Sequence, residues 1–352
     1  MTVRTPLWWD GGALYFGSER RDCPEKQVCD LEASLRGALD VGGWSLVVCK
    51  DVGQRLWRWL HGEEQWLRPE ALLRPTTQPW RLEVGGSLAE LVHLPWELLH
   101  DEKGFLAARN PAFLPLRRVD DPRPSLPTSS PPRYGMAVLF MAAAPPTQDP
   151  LHFEEEERRI LGAVPDGGDI RLEVEESGTV AGLTERCGML EDWSVVHLSC
   201  HGRPSPPELA LETDEGGEHR ASPDDVLTPL HTGMPRLLVV SACSSAEFAA
   251  SGDARGSLAQ RLVAGGCSAV LGFGAKVRDD EAIAFAGELY KSLANATRLD
   301  LTVADLRRAR YATETHSGNH PSPRRANRSG RSTQGGSFGG RGTFSRQTAR
   351  AE

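Results

Sequence analysis

Short apolar runs alternate with amphipathic stretches between residues 134 and 312. Five runs have the length and composition of strands: YGMAVLF (134–140), DIRLEVE (169–175), SVVHLS (194–199), RLLVVSA (236–242) and SAVLGF (268–273). Five segments after these runs have helical periodicity: LHFEEEERRILGAV (151–164), a stretch that ends at Met189, SLAQRLVAGG (257–266), residues 280–294 and a final segment. Strand–helix alternation at this spacing predicts an α/β fold built on a parallel sheet with helices on both faces.

Local signals support this organisation. SVVHLS and RLLVVSA are continuous rather than alternating, which is typical of central strands buried on both faces. Asp149-Pro150 resembles the start of a helix with proline at its first position. Thr302 and Asp305 have the spacing of a capping pair, and they predict the start of the final helix. Residues 280–294 place one apolar stripe toward the core: Ala282, Phe285, Ala286, Leu289, Tyr290 and Leu293.

Residues 1–119 have a less regular pattern and are interpreted as a smaller N-terminal α/β subdomain. Eight of the nine tryptophans lie there, and core packing is a better explanation for them than a ligand platform. RLEV (81–84) and ELVHLPWELL (90–99) are interpreted as strands that meet a turn.

Two segments have the composition of unfolded chain. Residues 120–133, DDPRPSLPTSSPPR, are rich in proline and serine and predict a linker. Residues 313–352 are rich in Gly, Ser and Arg and nearly free of aliphatic side chains, so they are predicted to be disordered. The region between them, residues 134–312, is therefore interpreted as one core domain.

Charge and cysteine content narrow the classes of function. A formal net charge of −8 disfavours a general nucleic-acid binder, although seven arginines after Pro323 leave weak binding by the tail as an alternative. No apolar run is long enough to span a membrane, and the first residues lack a secretion signal. Seven cysteines without a repeated spacing predict free thiols and a cytoplasmic location.

Reactive residues follow two of the predicted central strands. SVVHLS runs into Cys200-His201-Gly202, and RLLVVSA runs into Cys243. If the two strands are neighbours, His201 and Cys243 project from the same sheet edge, where reactive groups of parallel sheets gather. An imidazole beside a thiol favours the thiolate and can protonate a leaving amine. The backbone N–H groups of Gly202 and Cys243 are candidates for an oxyanion hole.

Other interpretations of the same stretch are weaker. A zinc site would need His197, Cys200, His201 and Cys243 to converge, but strand alternation sends Cys200 to the face opposite both histidines. His197 lies inside an apolar run and is best explained as a core histidine. The remaining cysteines are interpreted as small apolar residues. No metal ligand set is therefore predicted.

The residues that carry these signals also resemble a known family. VVHLSCHG, followed about forty residues later by LLVVSACSSA, resembles the CHAT domain, a caspase-like branch of a cysteine peptidase clan that includes caspases and separase. Further motifs of that family stand in order: LPWELL (94–99), MAVLF before EEEERRIL, LALETDEGG, and AGGCSAVLGFGAKVRDDEA. The resemblance covers residues 80–312 and implies a caspase-like, parallel-rich sheet with helices on both faces.

The resemblance also implies roles for individual residues. It matches His201 to the catalytic histidine, Cys243 to the nucleophile and Gly202 to an oxyanion-hole glycine. Such enzymes cut a specific protein through a thioacyl intermediate without a cofactor, often in bacterial regulation or defence under control of a sensor partner. Position 241 is serine where relatives that prefer basic residues have an acid, so that preference is not supported.

Three residues are candidates for the substrate pocket, and one alternative function stays open. Ser241, Asp279 and Asp280 could line the pocket, although a solvated helix N-terminus is the better explanation for the two aspartates. Family members close with an apolar strand after the final helix, whereas this chain continues into HSGNHPS. A catalytically inactive interaction module with the same fold is therefore the alternative.

Overall fold

The computed structural model describes residues 3–68, 78–119, 136–163, 170–189, 193–243, 245, 256–295 and 299–316, with side chains to Ala309. The predicted linker and nearly all of the predicted disordered tail lie outside these residues. Among the described residues, no helix combines the length and apolar content needed to cross a membrane.

The chain forms strands and helices throughout the described residues. The strands are β1 Val3–Asp10, β2 Ala13–Phe16, β3 Glu19–Asp22, β4 Trp80–Gly86, β5 His100–Asp101, β6 Gly104–Phe105, β7 Phe113–Arg117, β8 Met136–Ala142, β9 Ile170–Glu175, β10 Val195–Ser199, β11 His201–Pro204, β12 Pro207–Glu212, β13 Glu218–Ala221, β14 Leu237–Ser241 and β15 Val270–Gly272. The helices are α1 Glu25–Gly42, α2 Leu46–His61, α3 Ala89–His93, α4 Phe153–Gly162, α5 Val180–Met189, α6 Pro223–Leu230, α7 Leu258–Ala264, α8 Asp279–Ala294 and α9 Leu299–His316.

The central sheet has the order β15-β14-β10-β8-β9, and all of its pairings are parallel. Strands β10 and β14 are direct neighbours at its centre, as the continuous apolar runs predict. Their register pairs Val195 with Leu237 and ends with Ser199 opposite Ser241. Parallel strands in this register finish at the same edge, so the residues after them start from matching positions.

Apolar clusters cover both faces of this sheet. One cluster joins the even-numbered side chains of β10 and β14 to residues of α5, α6 and α7. The other joins the odd-numbered side chains to residues of α4, α8 and α9. The stripe predicted on α8 packs into this second cluster through Ala286, Leu289 and Tyr290. The prediction of a parallel α/β sheet covered on both faces is therefore confirmed.

The N-terminal region forms a second, mixed sheet in the order β3-β2-β1-β4-β7. Helices α1 and α2 contribute to its core, which contains Trp66, Trp80 and Trp96, each at most 2 % exposed. Most of the tryptophans therefore act as packing residues, as predicted. Trp44 is the exception, because it is 51 % exposed at the turn between α1 and α2.

Polar contacts connect the N-terminal region to the core domain. Arg81 of β4 pairs with Asp300 of α9, and Arg307 of α9 lies 3.4 Å from Glu97. His93 of α3 lies within hydrogen-bond distance of Gln260 of α7, at 2.7 Å. Helix α9 therefore packs against both parts of the chain.

Three local predictions are wrong. ELVHLPWELL is not a strand but helix α3 followed by a 3₁₀ turn, Trp96–Leu98, because Pro95 interrupts strand pairing there. Helix α4 begins at Phe153 rather than after Asp149-Pro150. Helix α9 begins before Thr302, whose side chain is fully buried instead of capping the helix. The helix itself extends to His316.

Candidate active site

The candidate residues lie just beyond the ends of β10 and β14. Ser199 pairs with Ser241 in the parallel register, and the N–H of Cys200 donates to the Ser241 carbonyl at 3.2 Å. His201 and Cys243 are each two residues beyond that pair. The two strands therefore deliver both candidates to one edge of the sheet, as the sequence predicts for neighbouring strands.

Gly202 packs directly against the backbone of Cys243. A Cβ atom at position 202 would lie 2.2 Å from the Cys243 carbonyl oxygen and 3.2 Å from the Ala242 Cβ. No side chain fits in that space without moving the backbone. Because Gly202 has no side chain, β11 can pack directly against the turn that contains Cys243.

A main-chain carbonyl orients the His201 ring. His201 Nε2 lies 2.7 Å from the carbonyl oxygen of Asp149, in the loop between β8 and α4. Because a carbonyl only accepts hydrogen bonds, this contact assigns the ring hydrogen to Nε2 and leaves a lone pair on Nδ1. That tautomer has the basic nitrogen which activation of a thiol requires.

Glu218 of β13 anchors the loop that carries Asp149. Its carboxylate accepts hydrogen bonds from Thr147 Oγ1 at 2.5 Å and Gln148 Nε2 at 2.7 Å, and it pairs with Arg203 at 3.2 Å. The hydrogen bonds from Thr147 and Gln148, with Arg203, lower the pKa of Glu218 to about 2. The carboxylate is ionised at neutral pH and ties this loop to the strand that begins with His201.

The Cys243 thiol is partly exposed and has a contact of its own. Its Sγ lies 3.4 Å from the carbonyl oxygen of Val277, in the segment before α8, so the thiol is positioned to donate a weak hydrogen bond. Ser245 ties the chain after Cys243 back to the sheet, because its Oγ donates to the Val240 carbonyl and accepts from the Phe273 N–H.

Cys200 and His197 face different sides of the sheet, as alternation predicts. Cys200 is 3 % exposed and packs in the cluster with α5, α6 and α7. Its burial and the nearby Glu156 carboxylate raise the pKa of the Cys200 thiol to about 12. His197 is fully buried on the other face, and the interpretation of it as a core histidine is confirmed.

The three candidate pocket residues have protein partners. Ser241 is 9 % exposed and donates from its Oγ to Glu156. Asp279 begins helix α8 and accepts hydrogen bonds from the backbone N–H and ring Nδ1 of His152. Asp280 forms an exposed ion pair with Arg278. A role of these residues in substrate binding stays a prediction.

Sequence reasoning did not identify two participants in this region. The Asp149 carbonyl leaves no signal, because any residue type supplies a carbonyl. Glu156 does leave a signal: it stands between Phe153 and Ile160 on the inward stripe of α4, where apolar residues are expected. A glutamate at such a position indicates a buried polar partner.

A model of the CHAT domain matches residues 50–325. The chain belongs to the CHAT domain family. The match begins thirty residues earlier than the motifs indicate, in α2, so the CHAT domain includes part of the N-terminal region. CHAT domains are related to cysteine peptidases, and the α/β architecture with its all-parallel central sheet is consistent with a caspase-like fold.

No curated protein matches the chain. Within the described residues, no group of three or more His, Cys, Asp or Glu side chains is arranged to hold a metal ion. The family match and the sheet topology together establish the family and the fold of this CHAT protein.

Proposed function

We propose that this CHAT protein is a cysteine endopeptidase whose catalytic dyad is His201 and Cys243. One observation carries the proposal: the Ser199–Ser241 register brings both residues to one sheet edge, and Gly202 packs against the Cys243 backbone. A partly exposed cysteine and an oriented imidazole that start from one sheet edge are the two groups that nucleophilic catalysis requires. The inert environment of Cys200 supports Cys243 as the nucleophile of the two.

The reaction divides into two steps. His201 Nδ1 accepts the Cys243 proton, and the thiolate attacks the scissile carbonyl carbon to form an S–C bond. The resulting imidazolium protonates the leaving amine as the C–N bond breaks, which leaves a thioester on Cys243. His201 then deprotonates a water molecule that attacks the thioester, and the cleaved carboxylate leaves as the thiol forms again. No cofactor is required in this scheme.

Charge on the substrate oxygen needs hydrogen-bond donors in both steps. The backbone N–H groups of Gly202 and Cys243 are the proposed donors, because one belongs to the nucleophile itself and the other to the glycine that packs against its backbone. Loss of one such donor in other enzymes costs about 10²–10³ in kcat.

Cleavage of a specific protein in bacterial regulation or defence is the proposed biological role. Activation by a sensor or regulatory partner in the cytoplasm is part of this proposal, and it rests on the family resemblance. The acidic balance of the chain supports a protein substrate over nucleic acid. Weak binding of nucleic acid by the arginine-rich tail remains the proposed exception.

A proteome-derived peptide library tests the proposed activity. The full chain is incubated with the library, and new peptide termini are identified by mass spectrometry. We expect wild-type protein to generate a defined set of termini, whereas Cys243→Ala and His201→Ala generate none. Cys200→Ala is the matched control, because it removes an adjacent thiol without touching the dyad. Cleavage that survives Cys243→Ala but disappears in Cys200→Ala would refute the assignment.

One observation favours the second candidate, a catalytically inactive interaction module. The Cys243 thiol contacts the Val277 carbonyl rather than a base in the described contacts. A protein of this kind would bind its partner equally well with Cys243→Ala and would produce no new termini with that partner present. Cleavage of the partner by wild-type protein but not by Cys243→Ala would exclude the inactive module.

A further inference from the structure

A buried carboxylate joins the ends of the two strands that carry the dyad. Glu156 of α4 is 2 % exposed. One of its oxygens accepts a hydrogen bond from Ser199 Oγ at 2.5 Å, and the other accepts from Ser241 Oγ at 2.9 Å. Ser199 ends β10 and Ser241 ends β14, and the two serines are partners in the parallel register. A single side chain thus bridges both strand ends.

The polar cluster continues into the core. His197 Nε2 lies 3.2 Å from Glu156 Oε1, although the ring is not aligned for a hydrogen bond, and His197 Nδ1 lies 3.1 Å from the Tyr290 hydroxyl. Both His197 and Tyr290 are fully buried. Burial alone would raise the pKa of Glu156, but His197 and the two serine hydroxyls outweigh it and lower that pKa. The carboxylate is therefore ionised in the folded protein.

This cluster lies at the two strand ends after which the dyad residues follow. Ser199 and Ser241 are the last residues of β10 and β14, and His201 and Cys243 each follow them by two residues. Cys200 lies between Ser199 and His201, and burial and the Glu156 carboxylate raise the pKa of its thiol. The Glu156 carboxylate thus contacts the residues two positions before each member of the dyad and is not itself part of the dyad.

Stability alone is a poor explanation for this cluster. A buried carboxylate is expensive to desolvate, and apolar side chains of similar volume usually stabilise a core as well or better. Within the described residues, no arginine or lysine forms an ion pair with Glu156. Its contacts are directed instead at the two positions that fix where β10 and β14 end.

We propose that Glu156 is a positioning residue for the dyad. By accepting from Ser199 and Ser241 together, its carboxylate holds the strand ends at the spacing that lets His201 reach Cys243. This inference rests on the proposed function, since it concerns the geometry of the same dyad. A displacement of about 1 Å at a reacting pair can cost about 100-fold in rate, so a fixed bridge between the strand ends that precede it has a direct catalytic consequence.

The pH profile of Cys243 alkylation tests this role. The full chain is treated with iodoacetamide between about pH 5.5 and 9, and labelling of Cys243 is measured by peptide mass spectrometry. Loss of the Glu156 charge alone would move the Cys243 midpoint downward, because a nearby negative charge disfavours the thiolate. We expect Glu156→Gln, which keeps the shape but puts an amide N–H₂ where one serine needs an acceptor, to misplace His201 and to shift the midpoint upward instead, by about one unit, a tenfold loss of thiolate near neutral pH. The matched control is Glu155→Gln: this neighbour pairs with Arg158 and Arg159 on the surface, and its profile should match wild type.

A parallel His201→Ala profile separates failure of this inference from failure of the proposed function. If His201→Ala shifts the Cys243 midpoint and Glu156→Gln does not, Glu156 has no positioning role. If neither variant shifts the midpoint, the dyad itself is refuted. A lower unfolding temperature in Glu156→Gln with an unchanged profile indicates a purely structural role and also overturns the proposal.

Ser241→Ala provides the test if Glu156→Gln does not fold. This variant removes one of the two hydrogen bonds and leaves the Glu156 charge in place. We expect a smaller upward shift of the Cys243 midpoint than for Glu156→Gln. Combination of Ser241→Ala with Ser199→Ala should shift it further, because both strand ends are then released. An unchanged midpoint in the double variant would overturn the proposal.

Discussion

Gly202→Ala tests the closest packing contact of the site. The new Cβ would lie 2.2 Å from the Cys243 carbonyl oxygen, whereas ordinary contact begins at 3.4 Å. The two backbones must therefore separate by about 1 Å, and a misplacement of that size can cost about 100-fold in rate. The strain itself should cost about 1–3 kcal/mol of stability, which leaves the chain folded.

The assay compares kcat/KM of Gly202→Ala with that of wild type on a peptide from the library experiment. Gly188→Ala is the matched control, because a Cβ at that glycine in α5 has nothing within 4 Å. We expect Gly202→Ala to lose about two orders of magnitude in kcat/KM while the control retains wild-type activity. Equal activity of Gly202→Ala and wild type would show that Gly202 does not set the position of Cys243.

Three further predictions follow from pKa shifts and burial. Burial would raise the pKa of Glu97, but Arg117 outweighs it and lowers the value to about 2, below that of an unfolded chain. The ionised Glu97 therefore stabilises the fold above pH 4.5, and this stabilisation is lost as the pH falls toward 2. Glu97→Gln should make the free energy of unfolding depend less on pH between 4.5 and 2. Burial lowers the pKa of His93 to about 4, although its contact with Gln260 opposes this, so stability should fall as pH drops from 6.5 to 4. His93→Gln should reduce that loss of unfolding free energy, measured by denaturant titrations at several pH values. The same dependence of unfolding free energy on pH in wild type and His93→Gln would contradict this prediction. Cys200→Ala should keep wild-type kcat, since the Cys200 thiol stays protonated at neutral pH; a large loss of kcat would assign it a role in the reaction.

The core sheet was predictable because its signals are local. Continuous apolar runs define β10 and β14, and helical periodicity defines α8, so alternation of the two specifies a covered parallel sheet. Alternation within β10 also assigns Cys200 and His197 to opposite faces. These inferences need only the periods of strand and helix.

The parts that were not predictable depend on tertiary contacts. The start of α4 is set by Asp279, more than a hundred residues away, whose carboxylate accepts the His152 N–H. Thr302 does not cap α9, because the helix begins before this residue and buries its side chain. The contact of the Asp149 carbonyl with His201 carries no residue-type signal at all. Glu156 was detectable as an acid on an apolar stripe, but its two serine partners were not.

Covalent labelling by a peptidyl acyloxymethyl ketone tests the dyad most directly. This reagent alkylates a cysteine that is activated in a peptidase site, and peptide mapping by mass spectrometry identifies which of the seven cysteines carries the adduct. We expect the adduct on Cys243 in wild-type protein, in the presence of its activating partner where one is required, and none in His201→Ala. An adduct on Cys243 that forms equally well in His201→Ala, or an adduct on a different cysteine, would contradict the dyad.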